Sequence, residues 1–484
     1  MTRTLRIRPA HAPLRGDVVL PGDKSISHRA LLLSALAEGR SNLQGLSTGR
    51  DVRATADALR GLGVDITLDD EGDARGLRAE VDGGGLDGLR LPAAPLDCGN
   101  SGTTMRLLTG LLAGQRFGTR LVGDASLSRR PMARIVGPLR ARGAHVGGTP
   151  RGEGGDAEEL YPPINIAPLV EGESLGGLQY EMPLASAQVK SAMLLSGLYA
   201  TGPTMLREPV LSRDHTERML LSLGVPVETV GPMVVLDPDR WSERRWPGVR
   251  WTVPGDLSSA AFLLAAAGTV PDSVIRLRGV GLNPTRTGLL EVTRRMGLRL
   301  ATLPQGEAAG GEPTADLRVG SAPGGALRGT TTGGELLVRM IDEVPAFCAL
   351  AARARGRSEV RDAADLRHKE SDRLGALKAM LEAFRVECDD LGDGLGIEGV
   401  GPDGRIPGAE VDSRGDHRIA MAAAVLALGA DEPSIVRDVA CIETSFPGFV
   451  DVLRSLGADV DVVDERVPGE PASGVPSGDT GSMP

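Results

Sequence analysis

The chain has 484 residues, enough for two domains or more, and its 41% apolar and 24% charged residues are typical of a soluble globular protein. A net charge of −10 and an aromatic content of 2% argue against nucleic-acid binding, which usually needs a basic face and stacking rings. No apolar run approaches the roughly 20 residues that span a bilayer, and the N-terminus lacks the apolar core of a signal peptide. A cytoplasmic protein that does not associate with membranes is therefore expected.

Cysteine and lysine usage adds two further expectations. The four cysteines form no CxxC pair and stand apart from histidine, so free thiols are predicted and a metal site is not. Of the 54 basic residues, four are lysines, namely Lys24, Lys190, Lys369 and Lys378. Because an ammonium group differs physically from a guanidinium group, the three lysines that fall in polar motifs are predicted to be needed there.

The first predicted helix begins after a Pro-Gly turn at residues 21–22 and runs through the apolar residues 30–36. Ser25 or Ser27 can cap this helix, because a hydroxyl accepts a hydrogen bond from the free first-turn amides. Those amides and the helix dipole attract anions, and Lys24 adds a positive charge. The stretch predicts an anion-binding site, although taken alone it fits a capped surface helix equally well.

Five further polar turns of the same kind open apolar helices along the chain. They lie at residues 98–106, 185–191, 254–259, 341–345 and 414–418. The helices that follow are apolar nearly all round, so they are predicted to be buried. More amphipathic helices, each followed by a short strand, alternate with them, and this self-similarity indicates six repeats of helices and strands.

The six repeats fall into two groups of three, because the Pro-Gly-Asp turn occurs twice, at residues 21–23 and 254–256. The chain is predicted to cross between two domains near these turns. Residues 1–22 together with 253–466 would form the first domain, and residues 23–252 would form the second.

Three segments are predicted to lie outside the repeats. Residues 147–158 and 305–315 are rich in glycine, proline and glutamate, which is typical of surface insertions. Residues 467–484 are rich in proline, glycine and serine with almost no large apolar side chain, so a disordered tail is predicted.

The polar turns of the first group carry cations, hydroxyls and amides, the donors that phosphates and carboxylates require. They are Lys24, Ser25, Arg29, Asn100, Gly102, Thr103, Arg106, Arg130, Ser186, Gln188, Lys190 and Arg213. The second group combines carboxylates with further cations. They are Asp342, Glu343, Lys369, Glu370, Arg373, Asp416 and Arg418. Lys369 and Arg373 are predicted to share one helical face, with Glu370 beside them, and a carboxylate held between cations can exchange protons only if its pKa is tuned.

Ten motifs together resemble those of the EPSP synthase family, the 3-phosphoshikimate 1-carboxyvinyltransferases. They are LPGDKSISHR, GNSGTTMR, SRRPM, SAQVK, SRDHTE, NPTR, IDEVP, HKESDR, GDHRIAM and TSFPGF, spread over about residues 3–462. Four of them, GDKS, SAQVK, RDHTE and NPTR, resemble the signature of the family's second, glyphosate-tolerant class.

The resemblance implies an α/β fold, a two-domain inside-out α/β barrel in which each domain has three repeated βαβαββ units. It implies transfer of the enolpyruvyl group of phosphoenolpyruvate to the 5-hydroxyl of shikimate 3-phosphate, a step of the shikimate pathway to chorismate and aromatic amino acids. The partners are therefore small-molecule substrates. A monomer that needs no cofactor is expected.

The resemblance also implies roles for individual residues. Shikimate 3-phosphate would be held by Lys24, Ser25, Arg29, Ser186, Ala187, Gln188, Arg213, Asp342 and Lys369. Phosphoenolpyruvate would be held by Lys24, Asn100, Gly102, Arg130, Gln188, Arg373 and Arg418. Asp342, assisted by Lys369, would be the base on the 5-hydroxyl, Glu370 would move the proton at the methylene carbon, and Lys24 is counted with these catalytic residues.

The chain departs from the family pattern at two positions. Some members have a lysine where Thr444 stands here, so one contact to phosphoenolpyruvate is expected to be missing. Tolerant members often have alanine where this chain has Gly102. Since that methyl group would crowd the longer inhibitor, the degree of glyphosate tolerance is left open.

Two alternative functions remain. The sister family, UDP-N-acetylglucosamine enolpyruvyl transferase, shares the fold and usually carries a reactive cysteine after the second helix, but residues 113–128 contain no cysteine. A non-catalytic binding protein on the same repeat is the other alternative. The acidic balance and the presence of Asp342, Lys369 and Glu370 count against it.

Overall fold

The computed structural model describes residues 2–70, 76–150 and 159–465, and the predicted tail at residues 467–484 lies outside them. The fold is α/β, as predicted. Within the described ranges the strands form six four-stranded sheets. In each sheet, one parallel strand pair is followed by two antiparallel pairs.

The elements are as follows in chain order. The first part comprises β1 (Thr2–Ile7), β2 (Arg15–Val19), α1 (Lys24–Ala35), β3 (Glu38–Leu46), α2 (Arg50–Gly61), β4 (Asp65–Asp69), β5 (Leu77–Gly84), β6 (Leu96–Asp97), α3 (Gly102–Leu112), β7 (Thr119–Val122), α4 (Ala133–Ala141), β8 (Val146–Pro150) and β9 (Leu160–Ile166). Next come β10 (Leu178–Glu181), α5 (Ala187–Gly197), β11 (Thr204–Arg207), α6 (His215–Ser222), β12 (Val227–Val230), β13 (Met233–Leu236) and β14 (Arg250–Thr252).

The second half of the chain continues the pattern. It comprises α7 (Leu257–Thr269), β15 (Val274–Gly281), α8 (Gly288–Met296), β16 (Arg299–Ala308), β17 (Glu312–Gly320), β18 (Thr331–Thr332), α9 (Gly334–Val338), α10 (Val344–Arg353), β19 (Arg355–Val360), α11 (Arg373–Ala383), β20 (Cys388–Asp390), β21 (Leu395–Val400), β22 (Glu410–Asp412), α12 (His417–Leu428), β23 (Ser434–Arg437), α13 (Phe449–Ser455) and β24 (Val460–Glu465). Short 3-10 helices connect several of these elements.

The same strand order recurs in every sheet. The unit β6–α3–β7–α4–β8–β9, for example, gives a sheet with the order β6-β7-β9-β8. Three sheets take one strand from a distant part of the chain: β14 pairs with β3 beside α1, β2 pairs with β15 beside α7, and β1 pairs with β23 and β24. The chain therefore passes between its two groups of sheets just before α1 and again just before α7.

Six helices, α1, α3, α5, α7, α10 and α12, are buried over most or all of their length, as predicted. The prediction that Ser25 or Ser27 caps α1 is wrong. Asp23 is the N-cap, and its carboxylate accepts from the Ile26 amide at 2.9 Å. A carboxylate is a strong cap because it also complements the positive end of the helix dipole.

The buried helices form two separate hydrophobic cores. One core contains α7, α10 and α12, which pack against one another and against residues of β1 and β2. The other contains α1, α3 and α5 and extends from Ile26 to Val253. Gly110 permits the close contact between α3 and α5, because a Cβ there would lie 2.2 Å from the carbonyl oxygen of Ala192.

The two crossing points of the chain lie against each other. The Asp23 amide donates to the Pro254 carbonyl at 2.7 Å, and the Asp256 amide donates to the Pro21 carbonyl at 3.0 Å. Gly22, at the first crossing, also packs directly against β3, since a Cβ there would lie 1.7 Å from the carbonyl oxygen of Gly45. In the described part of the chain, no helix has the length and apolar character needed to cross a membrane.

Two predictions of local structure fail in the second half. Residues 305–315, predicted as a surface insertion, form the end of the β16–β17 hairpin, and buried Ala309 packs against the core of α1, α3 and α5. Lys369 and Glu370 do not share a helix with Arg373, because Asp372 caps α11 by accepting from the Gly375 amide at 3.1 Å. Of residues 147–158, the first four belong to β8 and the rest lie outside the described residues.

Candidate active site

A cavity of about 260 Å³ lies where the first turns of the six buried helices converge. Each of these helices contributes a wall residue from its first turn or from the residues just before it. They are Lys24 and Ser25 for α1, Gly102 and Thr103 for α3, Ala187 and Gln188 for α5, Ser258 for α7, Asp342 for α10 and Arg418 for α12. Helix N-termini favour anions because their free amides and dipoles are positive at that end.

The charge of the wall adds to this preference. Among the described residues that line the cavity, nine are lysine or arginine and six are aspartate or glutamate. The cations are Lys24, Arg29, Arg106, Arg130, Arg134, Arg213, Arg286, Lys369 and Arg418. The excess of cations suits ligands that carry several negative charges.

The α1 side of the cavity is formed by Lys24, Ser25 and Arg29. Lys24 Nζ donates to Asp51 Oδ2 at 2.9 Å. Arg29 is buried, and its guanidinium donates to Thr216, to Ser191 and to the Ser25 carbonyl at 2.6–2.8 Å. Burial lowers the pKa of Arg29 to about 10, so it remains charged at neutral pH.

The α3 and α5 sides are joined by hydrogen bonds between their side chains. Gln188 accepts from Arg106 at 2.8 Å and donates to Thr103 at 2.9 Å. Burial, reinforced by the neighbouring Arg134 and Arg130, lowers the pKa of Arg106 to about 9. Ser186 caps α5 and lines the cavity beside Ala187.

Arg130 reaches the cavity from the loop after β7, and Asn100 stands behind it. The Asn100 side-chain oxygen accepts from Arg130 Nη2 at 2.6 Å, and its amide donates to Asp124 at 2.7 Å. Asn100 does not line the cavity. The structure therefore places it as a support for Arg130, although the sequence had predicted a ligand contact.

Asp342 lies at the centre of the cation cluster. Arg213 Nη2 is 2.5 Å from Asp342 Oδ2, Arg418 forms a direct ion pair with Oδ1, and Arg373 Nη1 lies 3.8 Å from the same oxygen. Burial alone would raise the pKa of this carboxyl group. The surrounding cations outweigh burial and hold the pKa well below its ordinary value.

Glu370 occupies a comparable environment, and Arg373 lies between it and Asp342. The Glu370 carboxylate forms an ion pair with Arg373 and lies 3.9 Å from Arg130. Burial favours the neutral acid, but Arg373, Arg130 and other nearby cations hold the pKa of Glu370 well below its ordinary value. Arg373 itself is buried behind the wall, where Asp416 accepts from its Nε at 2.9 Å.

Six charged wall residues were not among the candidates from the sequence, namely Asp51, Arg134, Asp256, Arg286, Asp362 and Asp365. Asp365 pairs with Lys369 at 2.5 Å and with Arg134 at 3.0 Å, and Lys369 and Arg134 together lower its pKa. Asp51 and Arg134 belong to the amphipathic helices α2 and α4, which carried no motif. The sequence signal for Asp365 was its position four residues before Lys369, because an aspartate and a lysine at this spacing can form an ion pair.

Two other predicted positions lie away from the cavity. Lys190 is buried on the opposite side of α5, where its ammonium group lies 2.7 Å from both Glu208 and Glu217. Thr444, which stands where some relatives have a lysine, donates to the Cys441 carbonyl at 2.7 Å. Neither residue lines the cavity.

Comparison with known proteins gives a consistent result. The family model of EPSP synthase (3-phosphoshikimate 1-carboxyvinyltransferase) matches residues 9–453. The 3-phosphoshikimate 1-carboxyvinyltransferases of Pelotomaculum thermopropionicum and Salinibacter ruber are each 47% identical to the chain, over 92% of it and 97% of their own length.

A solved structure agrees in fold and in sequence. An EPSP synthase from Acinetobacter baumannii is 38% identical, with a TM-score of 0.80, over 96% of this chain and all of that chain. The family match covers most of the chain, and the curated relatives align over nearly their full length. The chain belongs to the EPSP synthase family.

Proposed function

We propose that the chain transfers the enolpyruvyl group of phosphoenolpyruvate to the 5-hydroxyl of shikimate 3-phosphate, releasing phosphate. The observation that carries this proposal is the cavity, in which six helix N-termini and an excess of cations face a common space. Both substrates are small and carry a phosphate and a carboxylate, the groups that such a wall attracts. Relatives at 46–47% identity are named for this reaction.

The substrate contacts remain those that the motifs predicted, except that Asn100 and Arg373 stand behind the cavity wall. Shikimate 3-phosphate is assigned to the wall formed by Lys24, Ser25, Arg29, Ser186, Ala187, Gln188, Arg213, Asp342 and Lys369. Phosphoenolpyruvate is assigned to the wall formed by Lys24, Gly102, Arg130, Gln188 and Arg418. Arg373 acts from behind this wall through its contacts with Asp342 and Glu370. Asn100 acts through its hydrogen bond with Arg130.

The reaction needs one proton to leave the acceptor and one to enter the methylene carbon. Asp342 takes the proton of the 5-hydroxyl as its oxygen bonds to the central carbon of phosphoenolpyruvate, and protonated Glu370 gives a proton to the methylene carbon. The product is a tetrahedral ketal that still carries phosphate. Glu370 then removes a proton from the new methyl group as the bond to phosphate breaks, which restores the double bond.

Substrate binding is expected to raise the pKa of both carboxylates. For Glu370 the reason is Arg130, which lies 3.9 Å away and is assigned to phosphoenolpyruvate. Arg213 and Arg418 pair with Asp342, and the same two arginines are assigned to the substrates. When substrate phosphate and carboxylate groups recruit them, Asp342 loses the cations that hold its pKa down. Its pKa rises, and it becomes a stronger base only after the substrates have bound.

We further propose the arrangement and class that the motifs predicted. The two hydrophobic cores support a two-domain inside-out α/β barrel, with residues 1–22 and 253–466 in one domain and 23–252 in the other. The motifs GDKS, SAQVK, RDHTE and NPTR support the second, glyphosate-tolerant class. A cytoplasmic monomer is proposed, and a sedimentation mass of twice the chain mass would contradict it.

The test is phosphate release from phosphoenolpyruvate with either shikimate 3-phosphate or UDP-N-acetylglucosamine as acceptor. Release is expected with shikimate 3-phosphate alone, because relatives at 46–47% identity are named 3-phosphoshikimate 1-carboxyvinyltransferases. Asp342→Asn should lower kcat by roughly 10²–10⁴-fold, since it removes a general base. Asp389→Asn is the matched control, because Asp389 also pairs with an arginine, Arg357 at 3.0 Å, but lies outside the cavity.

The other outcomes separate the alternatives. Release with the sugar nucleotide only would assign the chain to the sister activity. Release with neither acceptor would favour a binding protein. Full activity in Asp342→Asn would contradict the assignment of Asp342 as the base.

A further inference from the structure

A buried polar segment, Asn283–Arg286, runs from behind the cavity to its wall, which Arg286 lines. The proposed chemistry gives this segment no role. It consists of Asn283 followed by a 3-10 helix, Pro284–Arg286. Asn283 and Arg286 are 2% and 3% exposed. Burying an amide and a guanidinium is costly unless each has partners, so these two side chains are held by specific contacts.

Asn283 contacts the residue next to Arg213. Its amide nitrogen donates to Asp214 Oδ1 at 2.6 Å and to Glu312 Oε2 at 2.9 Å. Its side-chain oxygen accepts from the Thr285 amide at 2.9 Å, which fixes the orientation of the amide group. Asn283 therefore holds the backbone position from which Arg213 reaches Asp342.

Arg286 contacts the residues next to Lys24 and Asp342. It forms an ion pair with Asp23, donates to Ser258 Oγ at 2.6 Å, and lies 3.3 Å from Glu343 Oε1. Asp23 directly precedes Lys24, and Glu343 directly follows Asp342 in the sequence. A single guanidinium thus links the backbone segments that carry two of the proposed catalytic residues.

We propose that Asn283 and Arg286 are positioning residues for the cavity, an inference that rests on the proposed function. Asn283 positions Arg213 through Asp214, and Arg286 positions Lys24 and Asp342 through Asp23 and Glu343. These three cavity residues come from distant parts of the chain. One short segment sets their relative placement, and small displacements of reacting groups are costly in rate.

The two carboxylates that Asn283 contacts form a cluster with His215, and no metal ion is needed to explain this cluster. Asp214, His215 and Glu312 bring ligand-type atoms within 4.8 Å of one another. However, the Asn283 amide donates to both carboxylates, and His215 Nδ1 lies 2.6 Å from Glu312 Oε1. Both carboxylates already accept hydrogen bonds, and Asp214 also forms an ion pair with Arg218 at 2.9 Å, which leaves positioning as the role of the cluster.

The first test is Asn283→Ala, assayed for phosphate release. The KM for shikimate 3-phosphate should rise about tenfold while the KM for phosphoenolpyruvate stays within about twofold, because Arg213 is assigned to the first substrate alone. In an Arg213→Ala background, Asn283→Ala should add less than about twofold, since residues that act through one another are not additive. Asn283→Ser, which keeps an acceptor for Thr285, should give an intermediate KM and serves if the alanine variant does not fold.

The second test is Arg286→Lys, which keeps the charge but loses the planar fork that spans Asp23, Ser258 and Glu343. Its kcat should fall about tenfold. Arg142→Lys is the matched control, because Arg142 is also buried and donates to Ser196 and Thr204 but lies away from the cavity. Its melting temperature should fall while both KM values and kcat stay within about twofold.

The outcomes separate the two proposals. A wild-type protein that releases no phosphate overturns the proposed function and this inference with it. An active wild type overturns this inference alone if Asn283→Ala changes both KM values equally, or if its effect adds in full to that of Arg213→Ala. The inference also fails if Arg286→Lys behaves like Arg142→Lys.

Discussion

At the scale of single residues, Gly102 decides how much room the cavity has beside two arginines. It opens α3, and a Cβ at this position would lie 2.7 Å from Arg106 Nη1 and 3.2 Å from Arg130 Nη1. Both contacts are with the ends of flexible side chains, so alanine can be accommodated if the guanidinium groups shift. The backbone of Gly102 is helical, so alanine introduces no conformational strain there.

Gly102→Ala is therefore expected to fold normally and to weaken glyphosate inhibition. The methyl group narrows the space beside Arg130, which excludes a longer inhibitor more than it excludes phosphoenolpyruvate. The inhibition constant for glyphosate should rise at least about tenfold, while the KM for phosphoenolpyruvate rises by less than about fivefold. Inhibition measured against varied phosphoenolpyruvate checks this, and equal rises in both constants would contradict it.

Some residues of the site could be predicted from the sequence. They are those for which one local motif contains both the start of a helix and the polar side chains beside it. Lys24, Gly102, Gln188 and Arg418 were found in this way, and all four line the cavity. Arg134 was missed because its helix carries an ordinary amphipathic pattern. Its place at the cavity depends on the packing of helices, which spacing along the chain does not encode.

At the scale of elements, α5 shows how two residues close in sequence can lie on opposite faces of one helix. Gln188 and Lys190 are two residues apart, so they point in nearly opposite directions from the helix axis. Gln188 faces the cavity, whereas Lys190 is buried between Glu208 and Glu217. The lysine is needed there as a compact charge, but its role is in the core and not at the site.

Lys190→Met should destabilise the protein by roughly 3–5 kcal/mol, because it leaves two carboxylates buried without their cation. Substrate KM values should change little. Lys378→Met is the matched control: the Lys378 side chain is 31% exposed and pairs with Glu382 one helical turn away, so its loss should cost about 0.5 kcal/mol or less. Urea unfolding of both variants measures the difference, and similar midpoints would contradict the prediction.

The β16–β17 hairpin shows why a composition-based prediction failed. Its glycine and glutamate content is typical of a loop, yet the strands pair with each other over most of their length. The end of the hairpin is fixed by contacts distant in sequence. Ala309 packs against the other hydrophobic core, and buried Glu312 accepts from Asn283. Such contacts override local propensity and leave no periodic signal.

At the scale of the whole molecule, the two chain crossings concentrate buried charge at one point. Arg286 faces three carboxylates there, those of Asp23, Asp256 and Glu343. Burial and the neighbouring Asp23 raise the pKa of Asp256 to about 6. For Asp23, burial would raise the pKa, but Arg286, the Ile26 amide and other neighbouring groups together outweigh burial and lower the pKa to about 2. The crossings are thus held together by a cluster that favours a proton on Asp256.

This cluster predicts a specific pH dependence of stability. Because the pKa of Asp256 is higher in the folded state than its ordinary value of 3.8, the folded protein retains a proton between pH 4 and 6 that the unfolded chain has lost. The contribution of Asp256 to the free energy of unfolding is therefore present at low pH and is lost as the pH rises through about 6. Asp256→Asn, which keeps a side-chain oxygen for the helix cap, should remove this loss.

Relative to the wild type, Asp256→Asn should gain roughly 1.4 kcal/mol of stability when the pH is raised from 5 to 8, the equivalent of one pKa unit. Asp23→Asn gives a second comparison, since Asp23 also caps a helix beside Arg286 but is ionised throughout this range. It should destabilise the protein at both pH values but by less at pH 8, because loss of the Asp23 charge also lowers the pKa of Asp256. Urea unfolding of the three proteins at pH 5 and 8 measures these differences. A gap between Asp256→Asn and the wild type that does not change with pH would mean that Asp256 is ionised in the folded protein, with Arg286 shared evenly between the two crossings.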